Sequence, residues 1–434
     1  MKINCRKVLM LAFFFPPLGG AGCQRPLKWV KYLPQFGWQA VVVTSDSQDY
    51  HTIDAGLLAQ LTDAPYHLVR TGTLEITPVY QWLYKFRLDA LARLLRQWEL
   101  NFNAPDRRIG WLPKACVAGL RAIHQRRPEA ILSSSAPFTS HLVALLLKKK
   151  TRLPWVADFR DEWTDTPYFL YSRLSRAINI RLEKLVLQHA DCVISVNEEI
   201  TRLLAAKRPA GERAKFCTIP NGFDSDEIGR AIAGISPTKD KFILTHMGSF
   251  YASRTPDDFL AALAELLDSG GLPREELEVR FVGSAADPNQ LAALKLGDCV
   301  KNSIGFVAHE KALQHGAASA VLVLIVHRQA GKRATTGKLF EYLALGKPIL
   351  GIGTEGTDCG AIIGRTGTGI NVAYGDRAGI AGAIRRLHTA WKQGERGFQP
   401  DWDAIHQYDR RHTARALSQR LDALVGATRP SVNG

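Results

Sequence analysis

The sequence predicts a parallel α/β protein made of two similarly built halves. Apolar strand-like runs alternate with amphipathic helical stretches almost throughout its 434 residues, the pattern expected of parallel sheets covered by helices. The alternation pauses at Asn221-Gly222-Phe223-Asp224 and a Gly/Pro/Ser-rich passage to Pro237, which reads as turn and linker, and then restarts. With 46% apolar and 22% charged residues the composition is that of an ordinary soluble globular chain. Its length allows two or three domains, each large enough to bury a core.

In the first half the apolar runs predict strands over 7–15, 39–44, 130–134, 155–158, 192–196 and 216–219, with helices over 24–35, 138–150 and 172–189. In the second half they predict strands over 242–247, 277–282, 300–306, 321–326, 348–352 and 369–372. After Gly379 only helical patterns remain, ending in 403–424. A long terminal helix in that place could cross back and brace the first domain. The expected domains are therefore 1–225, 238–400 and a crossover helix over 401–426.

The N-terminus imitates a signal peptide, because Lys2, Arg6 and Lys7 precede the apolar run from Val8 to Phe15. That run stops at Pro16-Pro17 without a small-residue cleavage site, and Gly20-Ala21-Gly22-Cys23 is a poor lipoprotein box. A buried first strand explains it better. No run approaches the ~20 residues needed to span a bilayer, so the expectation is a cytosolic or peripheral protein. Seven scattered cysteines, with no CxxC pair, argue against a disulfide framework. The formal charge of +15 favours an anionic partner, whether a phosphate-bearing substrate, an acidic lipid headgroup or nucleic acid.

Residues 80–98 stand apart. Trp82, Tyr84, Phe86, Leu91, Leu94, Leu95 and Trp98 are interleaved with Lys85, Arg87, Arg93 and Arg96. Such a pattern suits docking on an acidic membrane surface, or an ordinary surface helix whose apolar face covers the sheet.

Four segments could carry chemistry. The turn after the first strand, Pro16-Pro17-Leu18-Gly19-Gly20-Ala21-Gly22, lets backbone amides approach a phosphate at a helix N-terminus. It is not a dinucleotide fingerprint, since Arg25 stands where the third glycine belongs. Asp158-Phe159-Arg160-Asp161-Glu162-Trp163 lies at the carboxyl end of a strand, where open α/β sheets bind ligands. Gly248 to Arg254 is another strand-to-helix loop, ending in a guanidinium able to clamp phosphate oxygens.

The fourth is Thr335-Thr336-Gly337-Lys338-Leu339-Phe340-Glu341, where Gly337 opens a helix and Lys338 and Glu341 share a face. The lysine can hold a diphosphate and the carboxylate a ribose diol. The spacing from Gly331 to Lys338 is one residue too long for a P-loop, and Leu339 replaces its magnesium-binding Ser/Thr.

Taken in order, these segments resemble the retaining glycosyltransferases of family 4. The likeness includes the Pro-Pro-x-Gly-Gly loop, Gly37-Trp38, Ser134-Ser135-Ala136-Pro137, Asp158 to Trp163, Ile219 to Asp224, Gly248 to Arg254 and Gly337 to Ala344. The resemblance implies a GT-B fold: two Rossmann-like domains with parallel sheets facing a central cleft, and a C-terminal helix crossing back to the N-terminal domain. It implies that Glu341 holds the nucleotide ribose and that Lys338 and Arg254 neutralise the donor diphosphate. Amides around Gly19 and Gly20 would close over the phosphates. Arg160 and Asp161 occupy the catalytic position where many relatives carry a histidine followed by an aspartate. Arg333 replaces an earlier glutamate common in the family.

The implied reaction is retaining transfer from a nucleotide-sugar, without a metal or other cofactor, consistent with the lack of a suitable D-x-D loop. The basic charge and the aromatic–basic stretch over 80–98 suggest an acceptor that is lipid-linked or a polysaccharide of the cell envelope. An anionic membrane surface is a further candidate partner, nucleic acid is not, and the expected location is the cytoplasm or the inner face of its membrane. A sugar-nucleotide epimerase of the same fold, a nicotinamide-dependent oxidoreductase and a non-catalytic polysaccharide-assembly subunit are the rival readings.

Overall fold

A computed structural model describes residues 5–46, 53–54, 56–74, 82–83, 85–94, 104–166, 172–238, 240–250, 254–303, 305, 307–327, 331, 333, 335–395 and 397–428. The chain divides into two compact units, Met1–Pro220 with Thr413–Gly434, and Asn221–His412. Each unit is an all-parallel sheet with helices on both faces, a Rossmann-like α/β domain.

The first sheet holds β1 (Arg6–Leu11), β2 (Trp38–Ser45), β3 (Tyr66–Thr71), β4 (Ala130–Ser135), β5 (Trp155–Phe159), β6 (Cys192–Ser195) and β7 (Phe216–Thr218), in the order β3-β2-β1-β4-β5-β6-β7. Side chains alternate along each strand. Leu9 and Leu11 therefore join one buried cluster, while Val8 and Met10 join the other.

The first cluster is covered by α3 (Leu112–Arg126), α4 (Thr139–Thr151), α5 (Arg173–His189) and α6 (Glu198–Ala206). The second is covered by α1 (Ala21–Tyr32), with the short α2 (Gly56–Ala59) beside it. Strand β3 was not anticipated. Its Tyr-His-Leu-Val-Arg-Thr run sits half-buried at the sheet edge, where no continuous apolar run is needed.

The second sheet holds β8 (Phe242–Met247), β9 (Leu277–Val282), β10 (Val300–Ser303), β11 (Val321–Ile325), β12 (Ile349–Ile352) and β13 (Gly369–Val372), in the order β10-β9-β8-β11-β12-β13. The passage read from sequence as linker instead contains α7 (Ser225–Ala231). The Asp224 carboxylate caps it by accepting from the amides of Asp226 and Glu227, both at 3.1 Å. The remaining helices are α8 (Asp257–Asp268), α9 (Pro288–Ala293), α10 (His309–Ala317), α11 (Gly337–Leu345), α12 (Asp358–Arg365), α13 (Arg377–Lys392), α14 (Trp402–His406) and α15 (Arg410–Thr428).

Helix α15 buries Ala414, Leu417, Leu421 and Val425 in the same cluster as Val8, Trp29 and Trp38 of the first unit. Asp422 accepts from Trp38 Nε1 at 2.7 Å and pairs with Arg6, which also lies over the Trp38 ring. Among the described residues no helix is long and apolar enough to cross a membrane.

Candidate functional site

Strand order reverses beside β1 and β4 in one sheet and beside β8 and β11 in the other. Loops at the carboxyl ends of those strands border the crevice where such sheets take ligands. The segments singled out from sequence fall on these loops or beside them.

In the first unit the polar residues at this end satisfy one another. Arg25 is 1% exposed. Its Nε and Nη2 donate to Asp158 at 3.0–3.2 Å, and its Nη1 and Nη2 donate to the carbonyls of Pro220 and Ile219 at 2.8 Å. Asp158 also accepts from Ser134 Oγ at 2.7 Å. The arginine that spoils the dinucleotide fingerprint is thus a buried cross-tie between α1, β5 and the chain leaving β7.

Arg160 is spent in the same way. Its guanidinium donates to the carbonyls of Ser135, Gly22 (2.5 Å) and Ala136 (2.6 Å), joining the end of β4 to the first turn of α1. Asp161 beside it is exposed and makes no hydrogen bond or ion pair among the described residues. Gly20, with φ +85°, opens α1, whose start has no side-chain cap, and the Gly19 carbonyl accepts from Cys23 Sγ at 3.4 Å.

The second unit is different. Gly248, at φ +96°, ends β8, and a Cβ there would lie 2.4 Å from both Cε and Nζ of Lys338. The missing side chain is what lets the lysine lie flat against the strand end. Lys338 Nζ is buried without a hydrogen-bond partner. Burial, then the neighbouring positive charge of Arg254, lower its pKa to about 7, and Glu341 partly opposes the shift.

Arg254 is itself buried and its field reaches His327, lowering that pKa after burial has done so. His246, fully buried one strand residue before Met247, is held neutral by burial and by Lys338. Its ring stacks on Phe250 at 4.7 Å. Gly337 opens α11, and Thr336 provides no side-chain cap, so the first-turn amides complement this cationic pocket. Tyr251, Ala252 and Ser253, read from sequence as part of this loop, lie outside the described residues.

Glu341, one turn along α11, does not pair with Lys338. Its Oε1 meets His309 Nε2 at 2.9 Å, and His309 Nδ1 meets Glu227 Oε1 at 3.2 Å. Two carboxylates raise the His309 pKa to about 10, so the imidazolium donates from both nitrogens. One glutamate oxygen is fixed while the other stays available. Sequence reasoning missed His309 and Glu227 because they come from α10 and α7, and only the packing of three helices unites them.

Tyr342 was missed for the same reason: its hydroxyl accepts from the Met247 amide at 2.9 Å and locks α11 to β8. Arg333 is half-buried ahead of the helix. Beside these groups a cavity of about 310 Å³ opens at the ends of β11, β12 and β13, lined by His327, Gly353, Glu355, Thr357 and Tyr374.

An unpaired buried ammonium, a buried guanidinium and an uncapped helix start make a site for a polyanion such as a diphosphate. A fixed carboxylate one turn away suits a vicinal diol. Comparison with known families identifies a domain in each half of the chain. Residues 22–222 match the Glycosyl transferase 4-like domain, and residues 241–390 match Glycosyl transferases group 1.

The chain is a GT-B glycosyltransferase.

Solved structures share the fold of this glycosyltransferase at low identity. A glycosyltransferase from Rickettsia africae is 14% identical with a TM-score of 0.67, covering 97% of this chain and 99% of its own. Sucrose-phosphate synthase from Thermosynechococcus elongatus is 17% identical with a TM-score of 0.61, covering 98% and 100%. A lipopolysaccharide outer core galactosyltransferase is 12% identical with a TM-score of 0.59, covering 96% and 99%. A search of curated proteins found no significant match.

Proposed function

We propose that this glycosyltransferase moves a sugar from a nucleoside-diphosphate donor to a lipid-linked or polysaccharide acceptor. Transfer would proceed with retention of configuration and without a metal, in cell-envelope polysaccharide synthesis at the inner face of the cytoplasmic membrane. The observation that carries the donor assignment is the buried, partnerless Lys338 ammonium lying against Gly248. An amine stripped of water and of partners holds its proton weakly, and an arriving anion restores the full charge. The likeness in fold to a lipopolysaccharide galactosyltransferase supports the envelope role.

In this reading Lys338, Arg254 and the amides following Gly337 hold the diphosphate, while the second oxygen of Glu341 accepts from the ribose hydroxyls. Gly19 and Gly20, at the uncapped start of α1, offer amides to a phosphate. Cleavage of the sugar–phosphate bond leaves an electron pair and a growing negative charge on the diphosphate, which fixed cations stabilise. The departing phosphate oxygen takes the proton of the acceptor hydroxyl as the new glycosidic bond forms. Asp161 takes the catalytic role in this reading, and Arg160 shapes the loop that presents it.

Calorimetric titration with UDP-, GDP-, ADP- and dTDP-sugars tests this. One nucleotide class should bind the wild type and bind Glu341→Ala and Lys338→Met far more weakly. Asp161→Asn should lower kcat while leaving donor affinity unchanged. Binding of NAD(H) but of no sugar nucleotide would overturn the proposal. So would isomerisation of the donor sugar in the absence of any acceptor, which would mark an epimerase.

A further inference from the structure

Helices α3, α4 and α5 form one layer over the first sheet, with α4 largely buried between its neighbours. Together they carry ten lysines and arginines: Lys114, Arg121 and Arg126; Lys148, Lys149 and Lys150; Arg173, Arg176, Arg181 and Lys184. Their one carboxylate, Glu183, is 2% exposed and turned inward to Lys207 at 2.7 Å. By contrast α8 of the second unit has Asp257, Asp258, Glu265 and Asp268 and no cation. Much of the chain's positive excess is therefore concentrated on one helical layer.

The same layer exposes large aliphatic side chains among its cations. Val117 and Leu120 share the outer stripe of α3 with Arg121; Leu146 precedes Lys149 and Lys150 on α4; Leu174 and Ile180 accompany Arg173, Arg176, Arg181 and Lys184 on α5. Among the described residues twelve exposed large apolar side chains belong to the first unit and two, Ile235 and Trp402, to the second. Trp82, Phe86, Leu91 and Leu94, from the segment singled out in the sequence, add to the first unit's share, whereas Tyr80, Tyr84, Leu95, Arg96 and Trp98 lie outside the described residues.

We infer that the outer face of α3, α4 and α5 docks on an anionic lipid bilayer. Cations alone would suit any polyanion, but aliphatic side chains spaced between them match the boundary of headgroups and acyl chains. A nucleic acid would call for aromatic stacking platforms, and the exposed apolar residues of this layer are Val, Leu and Ile. The inference rests on the membrane location proposed above and assigns it to a particular surface. It does not depend on donor binding.

The test is co-sedimentation of the full chain with vesicles of phosphatidylglycerol and phosphatidylcholine, against pure phosphatidylcholine. The wild type should bind only the anionic vesicles, less at high salt. Each basic residue near such a surface contributes about five-fold in partitioning. The triple reversal Arg121→Glu, Lys149→Glu, Arg181→Glu should therefore reduce binding by at least ~100-fold. The pair Leu120→Ser, Ile180→Ser should weaken vesicle binding while leaving heparin binding intact.

Wild type that ignores anionic vesicles, or variants that bind them as well as wild type does, would overturn the inference. Equal loss of heparin and vesicle binding in the serine pair would do so too. Retained calorimetric binding of the donor by each variant shows that it is folded, and keeps this outcome separate from failure of the donor site.

Discussion

The two units place charged residues at equivalent ends of similar sheets and use them in opposite ways. In the first, Arg25 and Arg160 donate to Asp158 and to five backbone carbonyls. In the second, the Lys338 Nζ is hidden from solvent and has no partner. A buried cation whose donors are all satisfied is part of the scaffold; one left unsatisfied imposes a cost that a ligand can remove. Hydrogen-bond accounting, rather than location in the fold, separates the two.

The sharpest way to break this comparison is to remove one cation from each unit. Arg25→Met strands a buried Asp158 and should destabilise the chain by about 3–5 kcal/mol in denaturant unfolding. Lys338→Met should do the reverse. It removes an unpaired buried charge, so the free protein should gain about 1–3 kcal/mol while donor binding collapses. Comparable destabilisation in both variants would erase the distinction.

Gly248→Ala asks whether the lysine's seat matters. The added methyl meets Lys338 and forces φ +96° on a residue with a side chain, at a cost of about 1–3 kcal/mol. Donor affinity, measured by calorimetry, should fall with stability.

A smaller effect is expected for His309→Gln. Losing the charge-assisted hold on Glu341 should weaken donor binding about ten-fold, corresponding to roughly 1.5 kcal/mol for one such bond. Little change in the position of unfolding would distinguish a role in orienting Glu341 from a purely structural one.

The smallest net effect is in the wild-type pH profile, where two shifts act in opposite directions. The Lys338 pKa is lowered from 10.5 to about 7, so between those values the unfolded chain holds the proton and stability rises with pH. The His309 pKa is raised from 6.5 to about 10; its contribution is complete below 6.5 and is lost as pH rises through 10. The slopes oppose each other, so Lys338→Met should steepen the alkaline decline and His309→Gln should flatten it. Diphosphate binding near pH 8 should take up protons, measurable as a buffer-dependent heat.

Much of this architecture was legible in the sequence because buried parallel strands must be apolar on both faces. Strands β8, β9 and β13 lie where the apolar runs placed them. Edge strand β3 escaped because its half-buried Tyr-His-Leu-Val-Arg-Thr run mixes polar with apolar residues and has neither a continuous apolar stretch nor a strict alternation. Helix α7 escaped because Asp224-Ser225-Asp226 looks like turn chemistry yet serves as a helix cap. At the site, Lys338, Glu341 and Arg254 could be chosen by residue type and by loop. What could not be read was the network of partners: Arg160 turned onto three carbonyls, and His309 lying between two glutamates from separate helices.

Helix α15 has a consequence in time. Its Ala414, Leu417, Leu421 and Val425 complete a core that begins at Val8. The second unit, Asn221–His412, is therefore synthesised in full before the first can close. At ~5–20 residues per second that interval lasts roughly 10–40 s. Through it, the apolar face around Trp29 and Trp38 waits uncovered, so a nascent chain halted before residue 413 should be held by chaperones at its beginning rather than at its end.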